Sequence, residues 1–304
     1  MGILASANAK LLLFGEHAVV HGYPGLGLGL TWKLTVGSRG FSDRWQFTGA
    51  EAHAGDLEKA LKVIWQSGGL QEPPEPQNLL IESAVPLSSG FGSSAAFCCA
   101  LARFFFPDFS EDEIWRVAQT AENIFHGKSS GIDTALALRE GLWFFTPSVS
   151  GPPIVTPVEA KVPILITGSL PRTMDAKNLI LGLHQRAQDG DSWVLSSLKW
   201  LGDASVTAKN LLQGVYNPAG LGDLANSAQN TLKNLGLSTP AMDLVLENAS
   251  KAGALGGKLS GAGAGGAFWL VVETAETAQQ VIEELTKGTQ KIHGFQWLLP
   301  PRLV

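Results

Sequence analysis

Cysteine is almost missing from this chain. Its 304 residues hold two, Cys98 and Cys99, adjacent within an apolar run. Neighbouring thiols cannot close a loop and neither has another partner, so a disulfide framework and a cysteine-rich zinc site are both excluded. That usage predicts a reducing, cytoplasmic compartment. Charge is also scarce: Asp, Glu, Lys and Arg make up 16% of the residues, against roughly 25% in an ordinary soluble protein. Positive charge is not in excess, with 22 basic residues facing 27 acidic ones for a net charge of −5. Without a basic footprint, nucleic-acid binding is not expected, although a local basic pocket for an anionic ligand is compatible with this balance. No run of eighteen apolar residues occurs, the longest stretches being broken at Glu16, His17 and Arg103, so no membrane span is expected. No basic stretch precedes an apolar one at the start, so no secretory signal is expected; M-G-I-L-A-S fits the myristoylation pattern only formally and reads as a chance Gly2 before a first strand. No Walker-type G-x-x-x-x-G-K-[ST] loop and no internal repeat is present.

Apolar residues are plentiful at 45%, and 35 glycines with 16 prolines make the chain rich in turns. The length predicts two packed domains. Residues 3–14 and 26–37 read as strands around the turn G-Y-P-G. Leu57, Ala60, Leu61, Ile64 and Trp65 predict an amphipathic helix over 55–67. A strand at 78–84, a Gly/Ser turn at 88–94 and a helix from Ser93 to Phe105 follow. Ser110 with Glu113 is a capping box for a further helix, with Ile114, Val117, Ala118, Ala121 and Phe125 on its apolar face. Residues 147–160 are proline-rich without periodicity and are read as the domain boundary. Beyond them come a strand at 163–168, three or four helices to about 250, a Gly-rich turn at 260–266, a strand, a helix at 275–287 and a last strand near 292–299. Several strand pairs read as hairpins, which favours α+β architecture with one sheet per domain.

Four segments carry polar groups suited to chemistry. P-L-S-S-G-F-G-S-S-A-A, 86–96, runs from a strand into a helix, and its glycines and helix N-terminus suit a phosphate; an ordinary turn with a serine cap is the plain alternative. S-G-A-G-A-G-G-A, 260–267, is a second such turn, so the two together suggest a composite phosphate cradle. In A-E-N-I-F-H-G-K-S-S-G-I-D-T-A, 121–135, Glu122 and Asp133 flank a tight turn, an arrangement suited to magnesium binding and general-base work, or to a cap and a solvated charge. In K-L-L-L-F-G-E-H-A-V-V-H-G, 10–22, Lys10 lies in an apolar strand and needs a carboxylate or phosphate partner. His17 and His21 would suit zinc on a helix, but too few residues separate the strand from the next turn for one to form.

These four segments, with L-P-R-T at 170–173 and N-L-G-L-S-T-P-A-M-D at 234–243, resemble the GHMP kinases, the superfamily acting on galactose, homoserine, mevalonate and phosphomevalonate, and within it the mevalonate kinases. The resemblance runs from about residue 5 to residue 273. It implies an N-terminal β-α domain with a phosphate loop, 1–158, and a C-terminal ferredoxin-like α+β domain, 159–304. It implies ATP-dependent phosphorylation of the C5 hydroxyl of mevalonate, a step of isoprenoid biosynthesis, with ATP and Mg²⁺ and no membrane or nucleic-acid partner; a homodimer is left open. Ser88, Ser89, Gly90, Phe91, Gly92, Ser93 and Ser94 would wrap the ATP phosphates, with Ser83 nearby. Ser94 and Glu122 would hold Mg²⁺, Asp133 would take the hydroxyl proton, and Lys10 would pair with Asp133 and neutralise developing charge. Glu16, His17 and Thr173 would line the mevalonate side. Asn8-Ala9, Phe91, Lys128, Ser129 and Ala264 depart from the usual pattern. The rival readings are a related kinase acting on phosphomevalonate or another mevalonate hydroxyl, which Lys128 would favour, and a non-catalytic relative that binds a nucleotide or metabolite.

Overall fold

The computed structural model describes residues 4–86, 89–126, 129–148, 152–172, 176–288 and 292–298. The first sheet is organised by one long strand. β1 (Leu4–Phe14) lies antiparallel to β2 (Gly25–Phe41), from Leu4 opposite Gly37 to Phe14 opposite Leu26. The other edge of β2 is shared: β5 (Gly141–Thr146) pairs with its first half and β4 (Gln77–Ser83) with its second. β3 (Gln46–Thr48) runs parallel to β4, and β6 (Ile154–Pro157) closes the far edge against β5.

The alternation L-G-L-G-L in β2 has a packing cause. Leu26, Leu28 and Leu30 are buried in the core, while Gly27 and Gly29 seat the short helix α4 (Ile132–Ala137) and the residues after it. A Cβ on Gly29 would collide with the carbonyl oxygen of Arg139, and one on Gly27 would lie 2.7 Å from Leu136 Cδ1. Asp133 therefore sits in the first turn of a helix, not in the bare turn that the sequence suggests.

Three longer helices cover the sheet. α1 (Ala54–Ser67) buries Leu57, Ala60, Leu61 and Ile64, the stripe expected from their spacing. α2 (Ser93–Phe105) is central: Ala95 to Ala102 are all buried, and the helix packs on β1 and β2 with α1 and α3 (Glu111–His126) beside it. Burying Phe97 and Leu101 alone contributes about 2 kcal/mol each. The capping box before α3 forms as read, Ser110 N donating to Glu113 Oε2 at 2.8 Å and Glu113 N to Ser110 Oγ at 3.4 Å.

The second sheet contains β7 (Ile164–Leu170), β8 (Gly256–Leu259), β9 (Gly266–Val272) and β10 (His293–Leu298), all antiparallel, in the order β10-β7-β9-β8. Fourth, first, third, second is the ferredoxin-like order. α5 (Ala176–Gln188), α6 (Ser192–Gln213), α7 (Pro218–Asn234) and α8 (Pro240–Lys251) separate β7 from β8, and α9 (Ala275–Lys287) separates β9 from β10. Asp191, Asn217, Thr239 and Thr274 cap α6 to α9, each accepting from its own first turn. The outer edge of β8 is covered by α7, whose Asn226 and Gln229 accept from the amides of Gly257 and Leu259 at 3.1 and 3.0 Å. The two sheets share a continuous core, and α6 packs back on β1 and β2, with Ser205 Oγ donating to Pro24 O at 3.2 Å.

Candidate active site

Lys10 occupies the centre. It lies in β1 where the pairing with β2 is irregular between Asn8 and Lys10, a device that re-aims a side chain. Its backbone amide donates to Phe91 O at 2.9 Å, tying the strand to the first glycine-rich turn. Its ammonium lies 2.9 Å from Asp133 Oδ2, the lysine side chain 4% exposed and the aspartate 35%. The strand lysine thus has the carboxylate partner that its apolar surroundings require.

The two glycine-rich turns meet on either side of this pair. A Cβ on Gly92 would press on Lys10 Cγ at 2.7 Å, and one on Gly261 would lie 3.8 Å from Lys10 Nζ. One on Gly90 would lie 2.9 Å from Ala267 N, so the turns approach backbone to backbone. Gly92 is the left-handed N-cap of α2, with no side-chain cap hydrogen bond. The first amides of a thirteen-residue helix therefore face the turn, a site for an anion. Phe91 turns its ring into the core against Trp32, at 5.1 Å between centroids, and so meets any ligand through its backbone alone. The hydroxyls of Ser83 and Ser89 close local turns, donating to Val85 O at 2.9 Å and Pro86 O at 2.5 Å. Ala264 adopts a left-handed φ of 60° in the second turn, where the usual pattern has glycine.

Ser94, on the first turn of α2, donates to Glu122 Oε1 at 2.8 Å, and Cys98 Sγ lies 3.7 Å from the other carboxylate oxygen. Glu122 is buried and arrives from α3. Two hard oxygen side chains beside an anion-binding turn fit Mg²⁺, which takes one or two protein oxygens and completes its shell with phosphate and water.

Glu16 and His17 follow β1 directly. Glu16 makes a fully buried ion pair with Lys258 of β8, and Lys258 also donates to Leu13 O at 3.0 Å and Leu259 O at 2.7 Å. Burial pushes the Glu16 carboxyl up and the Lys258 ammonium down, opposed by their mutual attraction. His17, held at φ 61°, places Nε2 3.1 Å from Ala262 O. Burial lowers its pKa to about 4, so the ring is neutral at pH 7, and because a carbonyl only accepts, Nε2 carries the proton. Ser88, Lys128 and Thr173 lie outside the described residues.

Two site residues were not assigned roles from sequence. Lys258 is, like Lys10, a lysine in an apolar strand beside a glycine-rich turn, and that argument could have found it. Arg172 belongs to L-P-R-T; its Nε lies 3.4 Å from where a Cβ on Gly266 would be, and partial burial lowers its pKa while the charge of Asp133 opposes the shift. No described helix is long and apolar enough to cross a membrane, and no group of three or more His, Cys, Asp or Glu among the described residues is placed to hold a metal by itself.

A lysine–aspartate pair between two glycine-rich turns, on paired α+β units, is an arrangement suited to holding phosphate. The chain belongs to the GHMP kinases: residues 57–141 match the GHMP kinases N terminal domain and residues 209–290 the GHMP kinases C terminal family. It is 29% identical over 285 residues to a mevalonate kinase of Aeropyrum pernix, covering 86% of each chain. A mevalonate kinase of Thermococcus sibiricus is 28% identical, with 88% of this chain and 89% of the relative covered. The fold is similar to that of an L. major mevalonate kinase solved with R-mevalonate, at a TM-score of 0.84 and 19% identity over 100% of this chain and 98% of the other.

Proposed function

We propose that this GHMP kinase transfers the γ-phosphoryl group of ATP to the C5 hydroxyl of mevalonate, giving 5-phosphomevalonate and ADP. The observation that carries the reading is the half-open pair of Asp133 with buried Lys10 between the two glycine-rich turns. The mevalonate kinases among its sequence relatives support the acceptor. Fold likeness alone does not choose it, since a Streptococcus pneumoniae phosphomevalonate kinase has a TM-score of 0.78 at 13% identity.

In this reading the backbone of the first turn and the N-terminus of α2 cradle the ATP phosphates, with Ser89 to Ser94 supplying amides. Asp133 Oδ takes the C5 hydroxyl proton as that oxygen bonds to the γ-phosphorus and the bond from the γ-phosphorus to the β–γ bridging oxygen breaks. Lys10 holds Asp133 in place and faces the developing charge. Ser94 and Glu122 would hold Mg²⁺, which when bound would neutralise phosphate charge. His17 lines the acceptor side, with Glu16 behind it in the buried pair with Lys258 rather than against the substrate. Thr173 is assigned to that side by the family resemblance alone, and the guanidinium of Arg172 is suited to the mevalonate carboxylate. The units divide at 158/159, and the buried, adjacent Cys98 and Cys99 suit a reducing cytoplasm.

The test is an ATP-dependent phosphorylation assay over mevalonate, phosphomevalonate, galactose and homoserine, with product regiochemistry read by phosphorus NMR. A C5 phosphomonoester of mevalonate is expected. Turnover of another acceptor with none of mevalonate contradicts the reading.

A further inference from the structure

Asp133 is held from the front by Lys10, and the structure also shows what holds it from behind. Trp115, Gln119 and Asn123 recur every four residues along α3 and so share one face. All three bond to the segment that leads into α4. Trp115 Nε1 donates to Gly131 O at 3.0 Å, Gln119 Nε2 donates to Ser129 O at 3.3 Å, and Asn123 Oδ1 accepts from Ser129 N at 3.1 Å. On the far side of Asp133, Thr134 Oγ1 donates to Gln119 Oε1 at 2.7 Å. Gly131 is left-handed with φ 81°, and a Cβ there would collide with the indole of Trp115.

Gln119 bonds on both sides of Asp133, and it is buried, as is Thr134. Its orientation is unambiguous, because a carbonyl oxygen can only accept and so must face Nε2. An amide does this without adding a charge beside Asp133. The same helix carries Glu122, so one rigid element sets both the magnesium-side carboxylate and the backbone of the base.

We propose that Gln119, acting with Thr134, is a positioning residue that holds the Asp133 carboxylate in line with the acceptor hydroxyl. The proposal rests on the reading of Asp133 as the base. Displacing a reacting group by about 1 Å can cost roughly 100-fold in rate, so the expected effect lies in kcat.

Gln119→Leu removes both hydrogen bonds at similar volume, and Thr134→Val removes the hydroxyl from the other end. Each is expected to lower kcat by about 10- to 100-fold with the KM for ATP within about two-fold of the wild type. Thr134→Ser keeps the hydroxyl and is expected to recover most of the loss caused by Thr134→Val. A folded Gln119→Leu with unchanged kcat overturns the proposal; should that variant not fold, a Thr134→Val with unchanged kcat does so. A Thr134→Ser as slow as Thr134→Val also overturns it, and so does a rise in the ATP KM that matches the loss in kcat. Asp133→Asn is measured alongside. If that variant keeps its kcat, the base assignment has failed, which is a separate outcome from failure of the positioning claim.

Discussion

Two lysine–carboxylate pairs lie at the junction of the two sheets, and they differ in one respect. Lys258 and Glu16 are both fully buried, and the ammonium uses its three protons on Glu16, Leu13 O and Leu259 O. Lys10 is equally enclosed, but its partner Asp133 is 35% exposed. A sealed pair has no face to offer a substrate. It joins the end of β1 to β8 across 242 residues of sequence, and removing either member would leave a charge in the core. The open pair leaves part of its carboxylate accessible, while its lysine touches the glycine-rich turns. A lysine and a carboxylate are paired in both places; exposure of the carboxylate suits the open pair to the proposed chemistry, and its burial suits the sealed pair to architecture.

The comparison is broken most sharply at the open pair. Asp133→Asn keeps the shape but cannot take a proton, so kcat should fall roughly 10²- to 10⁴-fold with little change in nucleotide affinity, as steady-state kinetics and a nucleotide-binding titration would show. Lys10→Met should also lower kcat, and the double variant should lose less than the two effects combined.

At the sealed pair the effect should be on stability. Lys258→Met leaves Glu16 buried without its partner and should cost about 3–5 kcal/mol, measured by urea unfolding. Adding Glu16→Gln should recover part of that loss. A third measurement sharpens the picture beside the sealed pair. His17 has a folded pKa of about 4, below its ordinary 6.5, so between those values the unfolded chain binds a proton that the folded chain does not. Its contribution is complete above about pH 6.5 and is lost as the pH falls; at pH 5 the loss should be about 2 kcal/mol. Unfolding free energies of the wild type and His17→Gln, compared at pH 7.5 and pH 5, isolate that contribution; equal pH dependence in the two would exclude it. The smallest effect belongs to Glu122→Gln, which should raise the Mg²⁺ requirement about ten-fold and leave the fold intact. A magnesium titration of initial rates reads it.

What was legible in the sequence was local. α2 begins at Ser93 and ends at Phe105 as read, because Gly92 precedes it and Pro107 forces the residue before it, Phe106, out of the helical region. The capping box at Ser110 and Glu113 needed only three residues of context. β5 and β6 were not read. L-W-F-F lacks alternation, since β5 is flanked by β2 and β6 and packs on both faces, and Ile154–Pro157 becomes a strand only by pairing with β5. The helix that carries Asp133 has six residues, too few for a periodic signal, and it is fixed by the glycines of β2 about a hundred positions earlier. The approach of the two glycine-rich turns was expected from their shared chemistry, whereas the place of Lys10 between them was not. The burial of Glu16 against Lys258 was not, because nothing near residue 16 announces a partner on another sheet.

The central claim is the division of labour between the two pairs. Its most direct test is kcat and Tm measured together on Asp133→Asn and Lys258→Met. The account predicts that Asp133→Asn loses at least about 100-fold in kcat with far less loss of Tm than Lys258→Met. An Asp133→Asn variant that turns over mevalonate at a near wild-type rate, or one that melts as early as Lys258→Met, would contradict it.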